Sequence, residues 1–232
     1  MKNSIVVIGG GESGVGAAFL ANKNGYDVFL SEFNTIQKKY KKILENNQIN
    51  YEEGGHTLAK FFNAKEVVKS PGISNNSEII IKIKSKNIPI ISEIEFAYRF
   101  TNSILIGVTG SNGKTTTCSL IYHILKNSGK SVGLAGNIGN SFSFLTAENN
   151  FEYVVLELSS FQLEDIINFH PFISIITNLT PDHLERYNYD FQNYVNSKFK
   201  IISNQTSSDY LIYNYDDDKI ISELGNRNIN SI

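Results

Sequence analysis

Short apolar runs alternate with segments of helical spacing along almost the whole chain. Residues 5–8 are continuously apolar and predict a buried strand, and residues 15–24 predict the helix that follows. The pattern repeats, with strands predicted at 28–30, 67–68 and 88–91 and helices at 36–45 and 78–86. A second series opens with a connecting helix at 92–100. Strands are then expected at 104–108, 132–134, 153–156, 173–177 and 210–213, and helices at 115–127, 191–203 and 216–224. A last strand is expected to begin within 228–232. Strand–helix–strand alternation of this kind specifies parallel sheets with helices on their faces. The fold class expected is therefore α/β. Two domains are read: residues 1–91, a Rossmann-like parallel sheet, and residues 92–232, a P-loop ATPase-type α/β domain incomplete at its C-terminal end.

Composition narrows the class. The 232 residues are 41% hydrophobic and 19% charged, enough apolar material for packed cores. Lysine and arginine number 21 against 23 acids, a net charge of -2, which lacks the basic bias of a nucleic-acid-binding surface. No apolar run approaches the ~20 residues that span a bilayer, so no membrane insertion is expected. The run before Gly9 is too short for a signal peptide. Cys118 is the single cysteine, which excludes an internal disulfide framework and suits a reducing, cytoplasmic setting.

Two glycine loops carry the first chemistry. Gly9, Gly11 and Gly14 form G-x-G-x-x-G between the first strand and first helix. Glycine there permits a tight turn and close backbone approach to a phosphate, while the helix N-terminus offers free N–H groups. Gly11, Glu12, Ser13 and Gly14 are the candidate ligand contacts, and Glu32 stands where an acid would meet a ribose. A bare tight turn is the alternative, and the motif taken alone favours NAD or FAD. The second loop, Gly107-Val108-Thr109-Gly110-Ser111-Asn112-Gly113-Lys114-Thr115-Thr116, also joins a strand to a helix. Backbone N–H groups from Gly110 through Ser111, Asn112 and Gly113 to Lys114 would wrap a β-phosphate. Lys114 would reach the β/γ oxygens, Thr115 would ligate Mg²⁺, and Thr116 completes the loop. Val108 departs from the generic pattern, which has glycine there. Both loops in one chain imply that ATP acts on a substrate carrying its own nucleotide.

Glu157 ends a predicted strand beside the second loop, a suitable place for holding Mg²⁺ directly or through water. His183, in a polar loop, reads on chemistry alone as an ordinary polar contact, and Lys198 as part of a solvated helix face.

The loop Thr109 to Thr115 resembles the form of P-loop found in the Mur ligases, and that resemblance accounts for Val108. Glu157-Leu158-Ser159-Ser160-Phe161-Gln162-Leu163-Glu164 and Asn178-Leu179-Thr180-Pro181-Asp182-His183-Leu184-Glu185-Arg186-Tyr187 resemble the D-glutamate-adding members of that family. Ser70-Pro71-Gly72-Ile73 and Gly136-Asn137-Ile138-Gly139 also match. The resemblance implies an ATP-dependent amide ligase of peptidoglycan precursor synthesis, acting on UDP-N-acetylmuramoyl-L-alanine, ATP and D-glutamate in the cytoplasm as a monomer. It implies that His183 ligates a second Mg²⁺ beside Thr115 and Glu157, and that Lys198 is carbamylated by CO2, with Lys200 as the alternative position. Lys114, Glu157, His183 and Lys198 are then the catalytic set. Ser13 and Ser70 match positions near the diphosphate, and Asn137, Ser159 and Gln162 match contacts to the muramoyl-peptide. Uracil contacts are expected near residues 31–34. A folylpolyglutamate-type ligase, a nucleotide-binding module without complete ligase activity, and an NAD-binding oxidoreductase are the alternatives.

Overall fold

The computed structural model describes residues 4–227, so the strand expected at 228–232 lies outside the described residues. The chain forms two compact units, one of residues 1–101 with Ser141–Asn149, the other of Asn102–Asn140 with residues 150–232.

The first unit holds β1 (Ser4–Ile8), α1 (Glu12–Lys23), β2 (Asp27–Ser31), α2 (Lys38–Asn46), β3 (Asn50–Glu52), α3 (Leu58–Phe62), β4 (Glu66–Lys69), α4 (Glu78–Lys84), β5 (Ile90–Ser92) and α5 (Glu93–Tyr98). Its sheet has the order β3-β2-β1-β4-β5, and its neighbouring strands pair in parallel. Ile5 to Ile8 are all buried because the central strand is covered on both faces. On one face Val6, Ile8 and Val67 pack with Phe61, Ile80 and Ile83. On α2 only Tyr40 and Leu44 are buried, one helical turn apart, among lysines that remain solvated.

The remaining helices and strands are β6 (Ile104–Thr109), α6 (Lys114–Asn127), β7 (Val132–Gly136), α7 (Phe142–Glu148), β8 (Tyr153–Glu157), α8 (Ser160–Leu163), β9 (Ile173–Ile176), α9 (Phe191–Phe199), β10 (Tyr210–Tyr213) and α10 (Asp218–Gly225). Of these α7 belongs to the first unit, although it follows β7 in the chain. It packs on α1, where Phe19 and Phe144 rings lie 5.8 Å apart. A Cβ at Gly16 would sit 2.4 Å from Ser141 Oγ, so glycine admits this close approach.

The second unit's sheet runs β10-β9-β6-β8-β7, with neighbouring strands again paired in parallel. Its core joins Ile106, Val108 and Val155 to Cys118 and Val132. In both sheets the strand before a glycine loop is central: the next strand in sequence lies to one side and a later one to the other. That is the switch point where open α/β sheets bind ligands.

The apolar pattern did not predict α3, α7 or α8, nor β3, a short polar edge strand. The helix expected over 191–203 ends at Phe199 and tightens into a 3-10 turn over Lys200–Ile202.

Candidate functional site

In the first unit the chain leaves β1 through Gly9, at φ +107°, whose N–H donates to Ser31 O. Gly14 is obligatory, because a Cβ there would lie 1.9 Å from Gly9 O. Gly11 begins α1 without a side-chain cap. The buried Ser70 Oγ has no hydrogen-bond partner among the described residues and lies where Cβ atoms on Gly9 or Gly14 would stand, within 2.7 Å. A buried hydroxyl without a partner, beside uncapped helical N–H groups, is suited to an incoming anion.

The glutamates of this loop are already engaged. Glu32 accepts from Gly10 N (2.5 Å) and Asn34 N (2.7 Å), so it braces the glycine loop. Glu12 accepts from Ser141 N at 2.9 Å, tying the loop to the start of α7. Ser13 is half-buried on α1. Beside Glu32 opens a cavity of about 530 Å³ lined by Phe33, His56, Ile73, Ser74 and Lys82 among others. That volume suits a small organic group. His56 contacts Ser31 Oγ through Nδ1 (2.7 Å), and burial holds its imidazolium below the usual range.

In the second unit, residues 110–113 turn sharply from β6 into α6. Gly110 takes φ +142°, and a Cβ there would collide with Thr177 Oγ1 at 2.0 Å. Lys114 Nζ folds over the loop, donating to Gly110 O (2.9 Å) and Ser111 O (2.8 Å). The next residue, Thr115, donates to Glu157 Oε2 at 2.7 Å, and Asn137 Nδ2 donates to Glu157 Oε1 at 2.7 Å. Register explains the meeting: Val108 and Gly136 both pair with Glu157 across the sheet. Gly136, at φ +105°, admits the Glu157 carbonyl 2.2 Å from where a Cβ would be. Thr116 begins the exposed side of α6.

Lys198 is 2% exposed, and its Nζ donates to Gly110 O at 2.7 Å. Burial, and next the Lys114 charge, push its ammonium down to about 7, against an opposing pull from Asp182. Lys200 instead donates to Glu164 O. The two lysines therefore differ in kind: one is buried against the second glycine loop, the other ties down the end of α8.

His183 is exposed, in a left-handed conformation (φ +49°), with its ring 5.3 Å from that of Phe161. Among the described residues no group of three or more His, Cys, Asp or Glu side chains forms a ready metal site. Ser159 and Gln162 hold each other in a capping box that opens α8, with Ser159 N donating to Gln162 Oε1 at 2.9 Å.

Motif reading matched the block that begins at Asn178 but gave its first residues no role, and it missed that they and Thr177 brace the second glycine loop. Asn178 Oδ1 accepts from Asn112 N, while Thr177 Oγ1 and Asn178 Nδ2 both donate to Asn112 O. A polar run straight after an apolar strand was the available signal. The Mur ligase middle domain model matches residues 108–232, and the MurD N-terminal domain model matches residues 4–79. The chain belongs to the Mur ligase family. It is 52% identical over 224 residues to the UDP-N-acetylmuramoylalanine–D-glutamate ligase of Christiangramia forsetii, covering 97% of this chain and 50% of that protein. The protein of the same description from Bacteroides fragilis is 52% identical over 225 residues, covering 97% and 51%. The chain thus spans about half the length of the curated relatives it matches. Among solved structures, UDP-N-acetylmuramate-alanine ligase MurC from Thermotoga maritima superposes with a TM-score of 0.59 at 25% identity, covering 95% of this chain and 51% of that one. A Neisseria meningitides UDP-N-acetylmuramate:L-alanyl-gamma-D-glutamyl-meso-diaminopimelate ligase shares the fold, with a TM-score of 0.68 at 19% identity over 100% of this chain and 77% of that one. Mur ligases form amide bonds at the expense of ATP with Mg²⁺, and both glycine loops of this chain belong to family-matched segments.

Proposed function

We propose that this chain is the UDP-substrate-binding and ATP-binding part of a ligase that joins D-glutamate to UDP-N-acetylmuramoyl-L-alanine, in the cytoplasm and as a monomer. The observation that carries the reading is the cluster of Thr115, Glu157 and Asn137 at the foot of a phosphate loop that also holds Lys114 and Lys198. In the first unit, the N-terminus of α1 and the unpartnered Ser70 hydroxyl would take the diphosphate, with Gly11, Ser13 and Gly14 around it. The neighbouring cavity beside residues 31–34 would take the uracil. Glu12 would act by fixing the loop, and Asn137, Ser159 and Gln162 would meet the muramoyl-peptide.

In the reaction a substrate carboxylate oxygen attacks the γ-phosphate of ATP, ADP leaves, and the acyl phosphate is then open to the D-glutamate amine, which expels phosphate. Loop N–H groups and Lys114 would hold the phosphates and oppose the charge that develops on them. The paired oxygens of Thr115 and Glu157 are hard donors that fit Mg²⁺. Mg²⁺, when bound, supplies charge neutralisation at the phosphates. His183 and a carbamylated Lys198 would serve a second ion. The neutral Lys198 amine, available near pH 7, can attack CO2 and shed a proton to give an anionic carbamate. The chain's half-length match favours a second reading for the chain taken alone: binding of both ligands without completing the amide bond.

Calorimetric titration tests this. UDP-N-acetylmuramoyl-L-alanine is expected to bind and NAD not to, and AMP-PNP with Mg²⁺ is expected to bind independently of NAD. NAD binding without UDP-substrate binding would overturn the proposal.

A further inference from the structure

We propose that Tyr194 is a positioning residue of the phosphate loop: its hydroxyl locks Ser111 in place, while its ring sits beneath the Lys198 Nζ. The inference rests on the ATP-binding reading of that loop and adds to it a residue outside the loop and outside the metal-binding groups.

Tyr194 is 1% exposed, and its hydroxyl lies 2.9 Å from Ser111 Oγ. Proton counting decides which atom donates. Ser111 has one hydroxyl proton, and it goes to Thr180 O at 2.8 Å. Ser111 Oγ also accepts from Thr180 N at 2.9 Å. The remaining bond must therefore run from Tyr194 to Ser111. Ser111 is left with one donor and two acceptor interactions, all satisfied, in a buried setting where each lost partner is costly.

The ring is held as firmly as the hydroxyl. Tyr187 meets it edge-on at 5.6 Å, and Phe191 stacks on it at 6.1 Å. One helical turn further along α9, Lys198 Nζ lies 4.7 Å from the Tyr194 ring centroid and donates to Gly110 O. A single face of α9 thus grips two consecutive loop residues, Gly110 through its carbonyl and Ser111 through its side chain. The segment after β9 also holds this loop, through Asn178 on Asn112 and Thr180 on Ser111. The loop's N–H groups must point inward together to hold a phosphate, and a grip from two elements keeps them so without ligand.

Tyr194→Phe removes the hydroxyl and keeps the ring. In the ligand-free chain, hydrogen–deuterium exchange is expected to speed up roughly tenfold at the amides of residues 111 and 112, with β6 and β8 core amides unchanged. The Kd for AMP-PNP with Mg²⁺ is expected to rise roughly tenfold, while UDP-N-acetylmuramoyl-L-alanine binding holds constant. Ser111→Ala, which also removes both bonds to Thr180, should give at least as large a loss, and the double variant should be no worse than Ser111→Ala alone, because the Tyr194 bond is already gone. Unchanged exchange at 111 and 112, or fully additive losses in the double variant, would overturn the proposal. Acceleration spread equally over β6 and β8 would also overturn it, reducing Tyr194 to core packing. Should the wild-type chain bind no nucleotide, the ATP reading fails by itself, and the exchange arm still decides whether Tyr194 holds the loop.

Discussion

The buried amine of Lys198 is the most exacting consequence of this arrangement. Replacing it by Met keeps the side-chain length and removes the ionisable group. In the unfolded chain the amine titrates near 10.5, and in the folded chain burial and Lys114 bring it down to about 7. That difference amounts to about 5 kcal/mol against the charged form. Between about 7 and 10.5 the unfolded chain binds one more proton than the folded one, so wild-type stability rises with pH. The penalty is nearly full at pH 6, about 5 kcal/mol, and falls to about 2 kcal/mol at pH 9. Lys198→Met escapes it at both, less about 1–2 kcal/mol for the lost bond to Gly110 O. Gly110 O keeps Lys114 as donor, so no buried carbonyl is orphaned. The variant is expected to be more stable than wild type at pH 6, and the gap should narrow by about 3 kcal/mol by pH 9. Urea titrations in CO2-free buffer, read by hydrogen exchange at amides of β6 and α9, isolate the second unit. A gap constant within about 1 kcal/mol across that range would refute the argument that burial holds the amine neutral.

Glu93 offers the mirror case in the first unit. It accepts from Ser143 N at 2.5 Å, its Oε2 has no partner among the described residues, and burial pushes its carboxyl up to about 7. The folded state then binds the extra proton between the ordinary carboxylate range and 7, so stability falls as pH rises through 7. Glu93→Gln should gain about 2–3 kcal/mol on wild type between pH 4.5 and pH 8, measured on amides of β1 and α1. Gly136→Ala should cost more than about 2 kcal/mol by urea unfolding, since the residue has φ +105° and the new methyl meets Glu157 O.

Both glycine loops were legible because each follows an apolar strand and opens a helix, so the local pattern alone places them. What escaped the pattern was set by tertiary contact. Helix α7 has little apolar periodicity and exists by packing Phe144 on α1, with Glu12 and Glu93 accepting from its first N–H groups. Ser159 and Gln162 carry the spacing of a capping box, yet a motif match directs attention to ligands rather than to the helix they begin. Lys198 shows the limit most clearly. A lysine on a nine-residue helix reads as solvated, and only the packing of α9 against the loop buries it.

That burial bears on how the loop can exchange partners. Without ligand, Lys114 spends its protons on Gly110 O and Ser111 O, and Thr115 spends its own on Glu157. On the proposed reading, phosphate and metal would displace these bonds, and a loop held together only by them would lose its shape on binding. Gly110 O escapes that conflict because it has two donors, Lys114 at 2.9 Å and Lys198 at 2.7 Å. Were Lys114 to turn to a phosphate, Lys198 would keep the carbonyl satisfied, and a carbamylated Nζ would retain one N–H for the same purpose. Ser111, fixed through its side chain by Thr180 and Tyr194, does not depend on Lys114 for its place. On that reading, the lysine that would move is separated from the groups that would stay.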